Sequence, residues 1–290
     1  MNPAFTAPPR VILSTDRSAR CDRALARATR LAGEFGAEAV AVSVVEKSSA
    51  LAEEVAAMQD PPSWYHAPSA RVRAERELHR ELAATGIAWR MQVVDDDDDG
   101  RWRATFEHEA ARADTMIVCG PMREGVLNPV RLGSILDRLL RMPAARVLIV
   151  RQPAHQAYRH VVVATDFSAP SKVALQAARA LAPQARLTLL HAFEVPRLGF
   201  DADSRDEAVA RARLRLQDEA RAFVDDLGEV EVVVEHGDPV RLVRMYCDTF
   251  DPDLVACGTH GHGALYELVI GSVARGIALR SSIDTLLVHA

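Results

Sequence analysis

The stretch that decides the fold runs from Asp253 to Ser272 and reads DLVACGTHGHGALYELVIGS. Leu254, Val255, Ala256 and Cys257 form the short apolar run of a buried strand, and Gly258, Gly261 and Gly263 then break it into a loop. Gly271 and Ser272 follow, and 273–279 reads as a helix whose first turn carries N–H groups without intrahelical partners. The spacing is Gly258-x2-Gly261-x9-Gly271-Ser272. Helix-start amides, an adjacent hydroxyl and glycines that let the main chain approach closely are the parts that hold phosphate without a lysine. The bland alternative is a turn that only reverses the chain.

The pattern has an echo earlier in the chain. VILSTDRS at 11–18 returns as VVVATDFS at 161–168, an offset of 150. VCGPMREG at 118–125 returns as ACGTHGHG at 256–263, and Gly133-Ser134 returns as Gly271-Ser272, both at an offset of 138. VLIV at 147–150 closes the first half as TLLV closes the second. Two copies of one domain follow, 1–153 and 154–290, the first carrying twelve more residues between its first strand and its glycine loop.

Within the second copy short apolar runs alternate with helical stretches. Strands are expected at 160–164, 186–193, 229–235, 254–257 and 285–289, and helices at 171–181, 204–227, 239–250 and from Ser272. This alternation buries both faces of a parallel sheet, so each copy is expected to be an open doubly wound α/β domain with its ligand beyond the carboxyl ends of the strands.

Composition sets the outer limits. A length of 290 residues with 49% hydrophobic content suits two ordinary cores, and a formal charge of -5 gives no basic field for nucleic acid or anionic lipid. Cys21, Cys119, Cys247 and Cys257 lie far apart with no CxxC pair, which fits a reducing cytoplasm. No apolar run reaches the roughly 18 residues of a membrane helix, and no secretory leader pattern is read near Met1, so a soluble, cytoplasmic protein is expected.

The strand ending in Asp166-Phe167-Ser168, the strand ending in His191-Ala192, the glycine loop and the closing strand together resemble the universal stress protein family, and the likeness covers both halves. The resemblance implies two tandem five-stranded α/β domains and, for the branch that carries the glycine pattern, ATP binding. Carried over residue by residue, it places Asp166 at the ribose and the backbone around Ala164, Thr165 and Ala192 beside adenine. It places Cys257 and Gly258 under the sugar, and His260, Gly261, Gly271, Ser272 and Val273 around the phosphates. The ordinary alternative for Asp166 is a helix N-cap, a task open also to Ser168. His260 and His262 are too few ligands for a protein-bound metal, while Mg²⁺ can arrive with ATP.

The first copy departs from the pattern. Arg123 stands at the middle glycine position and Pro121 removes a backbone donor, so its site is expected to be degenerate, the alternative being that Arg123 offers a cation to some ligand. The acidic run Asp95 to Asp99 reads as a solvated segment, and 48–69, with Trp64 and Tyr65, as a loop suited to a partner protein. Neither a GxxxxGK[ST] loop nor a nucleophile elbow is present, so slow ATP hydrolysis is the most that is expected. The leading expectation is an ATP-binding, stress-response regulatory protein; the alternatives are an adaptor without nucleotide and a carrier of another small ligand. The family's habit of pairing last strands predicts an intramolecular pseudo-dimer, and Asp284, where the family favours proline, puts the pairing of the second copy's last strand in doubt.

Overall fold

A computed structural model describes residues 8–45, 54, 57–58, 64, 68–95, 101–110, 115–121, 146–195, 202–259 and 270–289. Its contacts divide the chain into two compact units, Pro8–Pro121 and Met122–Ala290, the latter joined by Met1–Ala7.

In the first unit β1 (Arg10–Thr15), β2 (Glu38–Val45), β3 (Trp89–Asp95) and β4 (Thr115–Cys119) pair in parallel in the order β3-β2-β1-β4. Helices α1 (Asp22–Phe35), α2 (Ala70–Ala83) and α3 (Arg101–Ala110) accompany them. The central strands are continuous apolar runs because both faces are covered: Val11, Ile12, Val40, Val42, Ile117 and Val118 have no exposed surface. Gly36, left-handed at φ 61°, ends α1 and turns the chain into β2.

The amino-terminal edge of this sheet is fastened by charge. Glu109 of α3 accepts from Arg90 Nη1 at 2.9 Å, Arg90 Nη2 at 2.6 Å and Gln92 Nε2 at 2.7 Å, and it is also paired with Arg10. Arg10 and Glu109 are almost wholly buried, so neither charge is tolerable without the other partners. Hydrogen bonds from Arg10, opposed by desolvation, hold the Glu38 carboxyl below the usual range.

The second unit contains β5 (Arg146–Ile149), β6 (His160–Thr165), β7 (Arg186–Phe193), β8 (Glu231–His236), β9 (Leu254–Gly258) and β10 (Asp284–Val288). Its helices are α4 (Ala169–Leu181), α5 (Ala202–Val224), α6 (Pro239–Phe250) and α7 (Ser272–Arg280). The order β8-β7-β6-β9-β10 is parallel throughout. The strand sequence is thus 3-2-1-4-5, and the direction of winding reverses between β6 and β9. Ser168 and Asp238 cap α4 and α6, their side chains accepting from Ser171 N and Arg241 N, each with a proline in the first turn.

On the far side of β10 lies β5, antiparallel, with Thr285 opposite Ile149 and Leu287 opposite Val147. The doubt that Asp284 raised about the pairing of β10 is overturned. Asp284 is fully buried, and its carboxylate accepts from Arg151 N at 2.7 Å, Gln152 N at 2.8 Å and the Tyr158 hydroxyl at 2.6 Å. An acid replaces the expected proline because the linker between the repeats delivers three donors to it. Arg151 adds bonds from its guanidinium to Ile283 O, Thr285 Oγ1 and Ala278 O, clasping the linker to the start of β10.

Candidate functional site

The site is built at the carboxyl ends of β9, β6 and β7. Register places Ala164 opposite Cys257 on one side, and Thr165 opposite His191 on the other. Ala164, Thr165, Asp166, Ala192 and Gly258 therefore share one edge of the sheet, at the switch of winding. Two backbone bonds bring α7 to the same edge. Thr259 N donates to Val288 O at 2.9 Å, fixing the end of β9 beside β10, and Gly271 N donates to Thr259 O at 2.8 Å, pinning the helix start there. Ser272 and Val273 are exposed, and no side chain caps α7.

Asp166 is more than a candidate ligand. Its Oδ1 accepts from Ser168 N at 3.1 Å, Ser168 Oγ at 2.5 Å and Ser171 Oγ at 2.5 Å, while Asp166 N donates to Ser171 Oγ at 3.2 Å. The N-cap of α4 is Ser168 and not Asp166, so the acid organises the turn that delivers the cap. Between them Phe167 adopts φ 61°, a left-handed conformation uncommon for a bulky residue, supported by the bond from Phe167 N to Thr165 Oγ1.

Phe167 stacks on His191 with centroids 4.2 Å apart and 23° between planes, and it meets Phe223 of α5 at 5.5 Å. His191 Nδ1 lies 2.9 Å from Thr165 O; a carbonyl only accepts, so Nδ1 carries the proton. Burial holds the His191 pKa below its ordinary value, against the bond to Thr165 O, which acts to raise it. Sequence reasoning passed over Phe167 and His191 as site-edge residues. The signal available was position: the residue after the strand-end acid and the last histidine of the neighbouring strand.

Three of the expected site residues have roles that the glycine spacing did not reveal. A Cβ at Gly258 would lie 3.1 Å from Pro170 Cβ, carbonyl carbon and oxygen, so close packing against the start of α4 by itself favours glycine there. Gly120 repeats this in the first unit, where a Cβ would lie 2.8 Å from Arg20 O. Gly271 spends its N–H on Thr259 O, so the helix-start donors without an intrahelical partner begin at Ser272. Cys257 is buried and its thiol is pushed up to about 12 by desolvation, leaving a small inert side chain. His260 and Gly261 lie outside the described residues, as do His262, Arg123, Gly133 and Ser134.

The first unit carries the same turn in other side chains. Arg17, at φ 60°, donates its N–H to Thr15 Oγ1, and Asp16 Oδ1 accepts from Ser18 N at 2.9 Å and Cys21 Sγ at 3.2 Å. A family model described as the universal stress protein family matches residues 9–151 and again 157–289. The chain belongs to the universal stress protein family. A curated relative, a universal stress protein of Mycolicibacterium smegmatis, is 26% identical over 192 residues, spanning 62% of this chain and 64% of that protein. The crystal structure of a universal stress protein from Archaeoglobus fulgidus shares the fold at TM-score 0.64 and 17% identity, covering 97% of this chain and 98% of that one. A universal stress protein solved in complex with cAMP is 28% identical, covering 46% of this chain and 99% of its own, at TM-score 0.33. Among the described residues no three His, Cys, Asp or Glu side chains gather as a metal site, and no helix is long and apolar enough to cross a membrane.

Proposed function

We propose that the second repeat binds an adenine nucleotide, ATP in the first instance, and that the chain is a stress-response regulatory protein whose state follows nucleotide occupancy. The observation that carries this reading is the bond from Gly271 N to Thr259 O, which sets the N-terminus of α7 on the sheet edge that also bears Asp166 and the backbone of Ala164, Thr165 and Ala192. The donor set suits a polyphosphate: first-turn amides from Ser272 onward, the exposed Ser272 hydroxyl and the positive end of the helix dipole. Asp166 is the acceptor for ribose hydroxyls in this reading, and His260 and Gly261 complete the phosphate loop. Mg²⁺ would arrive on the phosphates, held by their oxygens and water. No residue is assigned to catalysis.

The test is release of co-purified nucleotide on denaturation, followed by calorimetry with ATP. Gly271→Val should abolish binding, since even a Cβ there would lie 3.3 Å from Thr259 O and a branched side chain crowds the phosphate side. Ser272→Asp guards against a folding artefact: a carboxylate in the first turn stabilises the helix yet repels phosphate, so the protein should remain folded and stop binding. Binding that survives Ser272→Asp overturns the phosphate assignment.

A second reading, an adaptor without nucleotide, draws on Gly120 and Asp16. These recur in the first repeat and are explained there by packing and turn geometry, so Gly258 and Asp166 do not by themselves demand a ligand. Absence of any calorimetric heat with ATP favours that reading.

A further inference from the structure

Away from the sheet edge, α6 and α7 run side by side and touch where Gly276 faces Val240; a Cβ at 276 would lie 2.6 Å from Val240 Cγ2. Glycine lets the helices meet there, and beside that contact a cleft of about 80 Å³ opens. Its floor is apolar and buried: Val240, Val243, Cys247 and Ile277 are each at most 9% exposed. Two arginines, Arg244 of α6 and Arg280 in the last turn of α7, line the same cleft, and among the described residues neither side chain forms an ion pair or hydrogen bond. Arg10, Arg90, Arg186 and Arg213, by contrast, are all paired with glutamates.

We propose that this cleft is a binding site for a short aliphatic monocarboxylate, its tail on the Val240–Val243–Cys247–Ile277 floor and its carboxylate between Arg244 and Arg280. Size limits the tail. The cleft has about half the volume of the roughly 150 Å³ cavity that encloses benzene, so a chain of about three to five carbons fills it. Charge limits the head. Asp248 also lines the cleft, leaving two cations against one anion and room for a single added negative charge. The geometry suits arginine, which grips a planar carboxylate through two parallel N–H bonds. The floor does not compete for the guanidinium groups, because burial pushes the Cys247 thiol up to about 12 and keeps it neutral. Arg280 also stands at a helix C-terminus, where the dipole favours a cation and holds the guanidinium charge in place. This site is independent of the nucleotide reading and stands or falls without it.

The experiment uses the full chain and butyrate, followed by ligand-observed NMR, with inorganic phosphate and butylammonium as comparison probes. Saturable butyrate binding is expected, unchanged by ATP, and weakened about tenfold by either Arg244→Gln or Arg280→Gln, the loss of one charge-assisted contact. Ile277→Ala, which enlarges the floor, should shift preference towards a longer carboxylate without touching ATP binding. Phosphate binding as tightly as butyrate would remove the floor from the account and overturn it. So would butylammonium binding equally well, butyrate failing to saturate, or both arginine variants retaining full affinity in a folded chain.

Discussion

Arg17 and Phe167 occupy the same place in two copies of one turn, both left-handed and both following an aspartate whose Oδ1 gathers the next serine amide. Their side chains do different work. Arg17 reaches Ser43 Oγ, two residues before the end of β2, and pairs with Glu77 of α2 at 3.3 Å. Phe167 stacks on His191 at the matching place on β7 and meets Phe223 of α5. In each repeat the residue after the aspartate fastens the helix that follows strand two, by charge in the first and by aromatic contact in the second. The lesson is that the backbone of the turn is the common element, and the fastening is where the copies have separated.

The largest test of that separation lies where the last strands begin, with Arg146 in the first repeat and Asp284 in the second. Asp284→Ala leaves two backbone amides and a buried tyrosine hydroxyl without their acceptor and should cost about 4 kcal/mol. Asp284→Asn, which keeps one oxygen, should cost less. Trp64, Trp89 and Trp102 all lie in the first half, so tryptophan fluorescence during urea unfolding reports that half, while circular dichroism reports both. The destabilised transition should appear in the dichroism.

Next come the two strand-end glycines. Gly120→Ala forces a Cβ to 2.8 Å from a backbone oxygen and should cost about 3 kcal/mol, whereas Gly258→Ala, at 3.1 Å from Pro170, should cost about half that. Equal costs would contradict the packing explanation.

The folded architecture was legible because its signal is periodic: apolar runs buried on both faces cannot alternate with amphipathic helices in many ways, and a repeat reads the same pattern twice. The site was legible only in outline. Glycine spacing singled out Gly258 and Gly271 but not what surrounds them, since the neighbour that would crowd a Cβ at 258 is Pro170, 88 positions earlier. Asp284 was misread for the same reason: its partners Arg151, Gln152 and Tyr158 are more than 120 residues away, and a buried carboxylate looks like a fault until its donors are seen. The Ser168–Ser171–Asp166 network needed only local sequence, and of the two caps open to this helix, Asp166 and Ser168, the structure uses Ser168.

A smaller effect separates the two fastenings. Phe167→Ala should cost about 2 kcal/mol through lost stacking and apolar contact, and Arg17→Ala at most about 1 kcal/mol, because its ion pair is with the half-exposed Glu77. Smaller still is a pH effect. Burial lowers the His191 and His160 pKa values in the folded chain, so as pH falls below about 6.5 the unfolded chain takes up protons that the folded chain refuses, and stability falls. Ser43 stands in the first repeat where His191 stands in the second. Replacing His191 by Gln should flatten the acid-side slope of the second unit's stability, and Ser43→Ala should leave that slope unchanged.

ATP titration by calorimetry of the wild-type chain, Ser272→Asp and Ser134→Asp sets the two repeats against each other. The account predicts one molar equivalent bound by wild type, none by Ser272→Asp, and one still bound by Ser134→Asp. Two equivalents, or loss of binding on changing Ser134 with retention on changing Ser272, would contradict it.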